Sequence, residues 1–171
     1  MTAMSPFKAL ARLFVDPQFA RKKQFLRSLE IFKELNGSEL GRMVHVLHAR
    51  TYRPGEVVFV EGDIGRALFI LESGKVELTR TGPGGEALSI YTVKPGEWFG
   101  EMALLESLPR SATATATETS RLHLLYRTKL DALLQSEPRI GVAIMGHLAR
   151  LLSTRLRRAT GELATSTAAH G

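Results

Sequence analysis

Two spacings of hydrophobic residues succeed one another along this chain, and the change between them divides it. After Asp16-Pro17, apolar residues recur near a 3.6-residue period at Phe19, Phe25, Leu26, Leu29 and Phe32, which predicts an amphipathic helix. Pro17 suits a first helical position, and Asn36-Gly37 is a stop. Ser38 can cap a further helix to about residue 48, with Leu40, Met43, Val44 and Leu47 on one stripe. Ser5-Pro6 opens a shorter helix to about residue 14 by the same chemistry.

From Tyr52 the helical period gives way to turn punctuation. Arg53-Pro54-Gly55-Glu56, Glu61-Gly62-Asp63, Ser73-Gly74-Lys75, Thr81-Gly82-Pro83-Gly84-Gly85 and Lys94-Pro95-Gly96-Glu97 separate short β-rich runs. The predicted strands cover residues 57–60, 67–71, 76–80, 87–93, 111–117 and 121–126. Alternation in Val76-Glu77-Leu78-Thr79-Arg80 and in Arg121-Leu122-His123-Leu124 gives each of these strands one inner face. The two Pro-Gly-Glu turns read as turn chemistry rather than as a repeat. After Tyr126 the helical period returns over 129–136 and, from Pro138, over a longer helix to about Thr160, where Gly161 ends it. Ile140, Ile144, Leu148 and Leu151 share one face of it, flanked by Met145, Leu152 and Leu156.

The fold class that follows is mainly β with flanking helices: an antiparallel β-roll, or double-stranded jelly roll, with N-terminal helices and a C-terminal hinge and lid helix. The organisation expected is a helical extension over 1–35, the domain over 36–160 with its closing helices, and a small, polar, disordered tail over 161–171.

Composition removes several function classes. The 171 residues include no cysteine, so there are no disulfides, thiolate metal sites or cysteine nucleophiles, which fits a reducing, cytoplasmic setting. Lys8, Arg12 and Asp16 interrupt any signal-like apolar core, and no apolar run approaches the ~20 residues of a membrane span. The net charge of +6 sits in the flanks: residues 1–60 hold ten Lys/Arg against five Asp/Glu, and 138–171 hold five against one. Such flanks can meet nucleic acid or anionic lipid, but interspersed with apolar residues at helical spacing they read as solvated helix faces.

Candidate chemistry concentrates in Phe99-Gly100-Glu101-Met102-Ala103-Leu104-Leu105-Glu106-Ser107-Leu108-Pro109-Arg110-Ser111-Ala112, where one helical turn and a lone arginine interrupt the strands. Gly100 lets backbone approach a ligand. The first amides of a helical turn are unpaired donors, and Arg110 offers a planar fork; amides plus one arginine suit a singly charged phosphodiester. Glu101 would repel a phosphate, but it can accept a hydrogen bond from a neighbouring hydroxyl such as a ribose 2′-OH. Each residue alone also has a plainer reading: Glu101 as an acid at a helix start, Arg110 as a surface or salt-bridged cation.

Together these residues resemble the phosphate-binding cassette of cyclic nucleotide-binding domains, roughly F-G-E-[LIM]-A-L-(variable)-R-[STA]-A, with no position missing from Phe99 to Ala112. That family includes catabolite activators, cAMP-dependent kinase regulatory subunits and cyclic nucleotide-gated channels. The resemblance runs from about Phe32 to Gly161. It implies that Gly100, Met102 and Ala103 lie near the cyclic phosphate, that Glu101 binds the ribose and Arg110 the phosphate, and that Ser111 influences ligand preference. It implies cAMP, with cGMP open because a serine hydroxyl can serve guanine. It places Arg155 near the base, although Arg155 also reads as a solvated arginine beside Arg157 and Arg158. The expected output is movement of the C-terminal helices sensed by an unidentified effector protein, with no chemistry on the ligand and no cofactor. The N-terminal helices are a candidate docking surface, and a homodimer through the closing helix follows from its long apolar stripe.

Two rival classes share parts of this pattern. A cupin-type metal enzyme needs clustered strand histidines, and of His45, His48, His123, His147 and His170 only His123 falls on a predicted strand. A transcription regulator is implied by the family's commonest output, but about ten residues after Thr160 leave no room for a recognition unit, so direct DNA binding is not expected and any action on DNA would pass through a partner.

Overall fold

The computed structural model describes residues 16–106 and 108–168. Helix α1 (Pro17–Ser28) is capped by Asp16, whose side chain accepts from Gln18 N at 2.9 Å. It ends earlier than its apolar period suggested: Leu29 is extended, and a single 3₁₀ turn at Glu30–Phe32 follows. Helix α2 (Gly37–Val46) is capped by Asn36 rather than Ser38. Asn36 Oδ1 accepts from Ser38 N and Glu39 N, while Glu39 Oε2 accepts from Asn36 N, which closes a capping box. The helix predicted over 6–14 lies outside the described residues.

Eight strands follow: β1 (His48–Tyr52), β2 (Val57–Phe59), β3 (Ala67–Ser73), β4 (Val76–Thr81), β5 (Ala87–Val93), β6 (Trp98–Phe99), β7 (Thr113–Ala116) and β8 (Ser120–Tyr126). Helix α3 (Glu101–Glu106) stands between β6 and β7, and α4 (Arg127–Ser136) and α5 (Pro138–Ala168) close the chain. The strands form two antiparallel sheets in the orders β1-β8-β3-β6 and β2-β7-β4-β5. This is the β-roll with flanking helices that the turn spacing predicted, with two additions. Strand β1 was missed because its first four residues are exposed on an edge and carry no apolar alternation. Strand β6 is only two residues long.

Two cores explain the patterning of the central strands. Inside the roll, Phe69, Leu71, Val76, Val93, Phe99, Leu122 and Leu124 pack together. On the other side of the first sheet, Leu68, Ile70, Trp98 and Leu125 pack against Leu26, Phe32, Leu40, Met43, Leu130, Ile140, Ile144 and Leu148 from the helices. Strand β3 is therefore buried on both faces, which is why Ala67-Leu68-Phe69-Ile70-Leu71 shows no alternation. Strand β8 departs from expectation for the same reason. His123, placed outward by the alternation, is fully buried beneath α1, stacked on Phe25 at 5.2 Å and bonded through Nε2 to Glu72 at 2.7 Å.

Helix α5 continues through Gly161 to Ala168 instead of stopping. A glycine inside a helix costs about 1 kcal/mol, which its neighbours can absorb. The basic flanks are partly consumed within the molecule: Arg21 bonds Glu72 at 3.0 Å, Arg42 Nε lies 2.7 Å from Glu137 and Arg139 lies 3.5 Å from Glu39. Among the described residues no helix is long and apolar enough to cross a membrane.

Candidate functional site

A cavity of about 590 Å3 opens between the second sheet, the β6–α3 corner and one face of α5. Gly100, Glu101, Met102, Arg110, Ser111 and Arg155 all line it, so six of the seven residues singled out in the sequence converge. Ala103, the seventh, belongs to α3, and its side chain lies outside the described part, as does that of Leu104.

The corner that starts the site is built by Gly100. Its φ of +74° lies in the left-handed region, and a Cβ there would meet Arg110 Nη1 at 2.6 Å. The missing side chain is the space the guanidinium occupies. Arg110 is 6% exposed. Its Nη1 donates to Gly100 O and its Nη2 to Ala67 O, each at 2.7 Å, and its plane lies 4.1 Å from the Phe59 ring centre and 5.5 Å from that of Phe69. Its backbone is pinned as well, with Arg110 N donating to Asp63 O at 2.8 Å and Arg110 O accepting from Gly62 N at 2.9 Å. Burial lowers the pKa of Arg110; Glu101 and Asp63 oppose that shift as nearby charges. The salt-bridged reading of Arg110 thus gives way to a buried cation held by carbonyls and ring faces.

Glu101 is 1% exposed. Its Oε1 accepts from Arg155 Nη1, while Oε2 is buried without a hydrogen-bond partner. Arg155 Nη2 donates to Trp98 O at 2.9 Å. Arg155 therefore reaches across from α5 to the floor of the cavity and engages Glu101, so it is not the solvated arginine of the plainer reading. Ser111 is exposed at the opening, its Oγ 4.0 Å from the weak acceptor Met102 Sδ. Leu105 packs against the helical core that contains Leu130 and Leu133, which links α3 to α4; Leu134 is 38% exposed.

Sequence reasoning missed Phe59, Ile90, Tyr91, Glu97, His147, Leu151, Thr154 and Arg158, which also line the cavity. For α5 a signal was present: residues 147, 151, 154, 155 and 158 follow one helical face beside the buried stripe. The His147 ring lies 4.8 Å from Trp98, and burial, with Arg150 nearby, lowers its pKa. Among the described residues no group of three or more His, Asp or Glu could hold a metal ion.

A buried guanidinium without a carboxylate partner among the described residues, beside a buried carboxylate oxygen without a donor among them, complements a small ligand that carries an anion next to a hydroxyl. An apolar cavity under a helical lid complements a flat ring attached to it. The fold and the site thus define a β-roll with a cavity whose polar groups complement a compact anionic ligand. The family model of the cyclic nucleotide-binding domain matches residues 49–137, and the chain belongs to that family. It is 38% identical over 138 residues to the cyclic AMP receptor protein of Thermus thermophilus, across 81% of this chain and 62% of the relative. It is 34% identical over 128 residues to a cGMP-dependent protein kinase of Toxoplasma gondii, across 75% of this chain and 12% of the kinase. The crystal structure of the Thermus thermophilus catabolite activator protein superposes with a TM-score of 0.70, covering 80% of this chain and 62% of that one. The chain thus spans less than two thirds of the length of these relatives.

Proposed function

We propose that this chain binds a purine 3′,5′-cyclic nucleotide, cAMP foremost and cGMP as the alternative, and signals occupancy through α4 and α5 without chemistry on the ligand. The observation that carries the reading is the pair of unmet needs in the cavity: Arg110 without a carboxylate, and Glu101 Oε2 without a donor. Arg110 takes the cyclic phosphate, Glu101 Oε2 the ribose 2′-OH, Ser111 and the Gly100–Ala103 backbone the remaining phosphate oxygens, and Arg155 holds Glu101 from the lid. The name of the Thermus thermophilus relative supports cAMP, and that of the Toxoplasma gondii kinase keeps cGMP in view.

Ligand shifts the helices only by its differential affinity for the two arrangements, typically ~1–3 kcal/mol. An effector protein reads that shift, with the N-terminal helices over residues 6–35 as a candidate docking surface. Action on DNA through a partner is the second reading, favoured by the likeness to catabolite activators. A homodimer through α5 remains part of the proposal, but its contact face changes. Ile140, Ile144 and Leu148 are consumed by the chain's own core, and Val142, Met145 and Leu156 are left facing outward. Calorimetry with cAMP and cGMP tests the reading: saturable one-site binding supports it, and no binding of either refutes it. Turnover of cAMP by metal-treated protein, above a heat-inactivated control, would favour the metal-enzyme rival instead.

A further inference from the structure

The cavity lining carries a second polar group, on β5, the turn before β6 and α5. Tyr91 Oη donates to Glu97 Oε1 at 2.8 Å, and Glu97 Oε2 accepts from Lys94 N at 2.8 Å. Arg158 of α5 lines the cavity with them and is a nearby positive charge for the same hydroxyl. All three residues line the cavity. Burial raises the Tyr91 phenol pKa and the Glu97 carboxylate raises it further, so the phenol stays protonated with its hydrogen committed to Glu97.

Two comparisons separate this group from ordinary turn chemistry. Glu56, in the other Pro-Gly-Glu turn, makes the same backbone bond, with Oε2 accepting from Arg53 N at 2.5 Å, yet lies outside the cavity lining. Glu97 makes that bond and is oriented by Tyr91 as well. Strand β5 also carries a bulge at this point: Leu78 faces Tyr91 and Thr79 faces Ser89, which leaves Ile90 extra. Neighbours on a regular strand point to opposite faces, but here Ile90 and Tyr91 both line the cavity, as a bulge allows.

The spacing fits the far end of a nucleotide. Arg110 and Ser111 lead into β7, which pairs with β4, which pairs with β5. Tyr91 therefore lies two strands from Ala114 of β7, roughly 10 Å at ~4.8 Å per strand, and Ser111 enters the lining just before that strand. The distance from phosphorus to the outer edge of a purine is of that order. Helix α5 crosses the same gap: Arg155 is fixed over Glu101, and Arg158 stands three residues on, about 4.5 Å along the axis.

We propose that Tyr91, Glu97 and Arg158 read the edge of the base. The remaining lone pairs of Glu97 accept from an exocyclic amine, Arg158 donates to the adjacent ring nitrogen or carbonyl, and Tyr91 fixes both. The site selects an aminopurine over a ring of the same shape that lacks the amine, because that ring covers the remaining lone pairs of Glu97 without supplying a donor. The inference rests on the cyclic nucleotide reading of the cavity.

Calorimetric titration of the full chain with cAMP and with purine riboside 3′,5′-cyclic monophosphate, which lacks only the 6-amine, tests it; cGMP against cIMP gives the same comparison for guanine. The amine-bearing ligand of at least one pair should bind wild-type protein roughly 10-fold or more tightly than its amine-free partner. Glu97→Gln keeps an acceptor for the turn but presents an NH2 where the amine must be received. It should narrow that ratio to about threefold or less, and Tyr91→Phe should narrow it in the same direction. Glu56→Gln, the same change in the turn outside the cavity, should leave it unchanged. Wild-type ratios near one for both pairs, or ratios that Glu97→Gln leaves intact, overturn the base-edge reader while the cyclic nucleotide site stands. Failure of every cyclic nucleotide to bind wild-type protein overturns the site reading and this inference with it.

Discussion

Replacing Arg110 with methionine separates what the arginine does for the fold from what it does for the ligand. Two charge-assisted bonds to carbonyls contribute about 1.5–3 kcal/mol each, and the contact with the Phe59 ring about 0.5–2 more. Against this stands the cost of holding a charge that is 6% exposed with no carboxylate bonded to it, which is several kcal/mol. The two sides nearly cancel, and methionine restores apolar contact with both rings. The ligand-free variant should therefore stay within about 2 kcal/mol of wild type, or about 4–8 °C in melting temperature for a chain of this length. Ligand binding has no such compensation. Losing the partner of a buried anion costs about 2–5 kcal/mol, roughly 30- to 5,000-fold in affinity for cAMP. Thermal melts with and without cAMP, with calorimetry beside them, read both quantities on one sample. A folded Arg110→Met protein that binds cAMP like wild type refutes the phosphate assignment. A ligand-free loss well above 5 kcal/mol refutes the cancellation and makes Arg110 a structural residue.

Gly100→Ala should destabilise by about 1–2 kcal/mol from its positive φ and also weaken cAMP, because its Cβ displaces Arg110 Nη1; Gly55→Ala, strained in φ with open space around its Cβ, should show only the first effect in paired melts and titrations. Glu101→Gln should weaken cAMP more than 2′-deoxy-cAMP, by about 1 kcal/mol in calorimetry; equal losses would mean that Oε2 meets no ribose hydroxyl. Burial lowers the His123 pKa, with Lys22 and Arg121 acting in the same direction and Glu72 opposing. The unfolded chain therefore binds the proton more readily, and stability should fall as pH drops below about 6.5, with a flatter urea-midpoint profile in His123→Gln. Leu148→Glu should unfold the domain rather than split a dimer, whereas Leu156→Glu should lower the mass seen by light scattering if two copies meet there.

The site was legible where its residues are contiguous. Phe99 to Ala112 carries the corner, the acid and the arginine on one stretch, so chain order and spatial order coincide. The roll was legible because Pro and Gly mark its turns. Partnerships set by tertiary approach were not. Nothing local to Arg155 announces Glu101, 54 positions away. Tyr91 sits in an edge strand whose bulge depends on the register of its neighbour, and His123 looked outward until α1 covered it. The stop at Gly161 failed for a different reason: a glycine weakens a helix but does not end one by itself.

Strand β3 is covered on both sides, and its odd and even positions belong to different parts of the molecule. Ala67 and Phe69 hold Arg110, through a carbonyl and a ring face. Leu68 and Ile70, between and beyond them, pack in the core that contains Ile144 and Leu148 of the lid. Because neighbouring side chains on a strand point apart, this strand would, on the proposed function, keep ligand recognition and helix readout chemically separate while joining them through one backbone. Selection or design can therefore retune affinity at Phe69 and the strength of the response at Leu68 or Ile70 as independent variables.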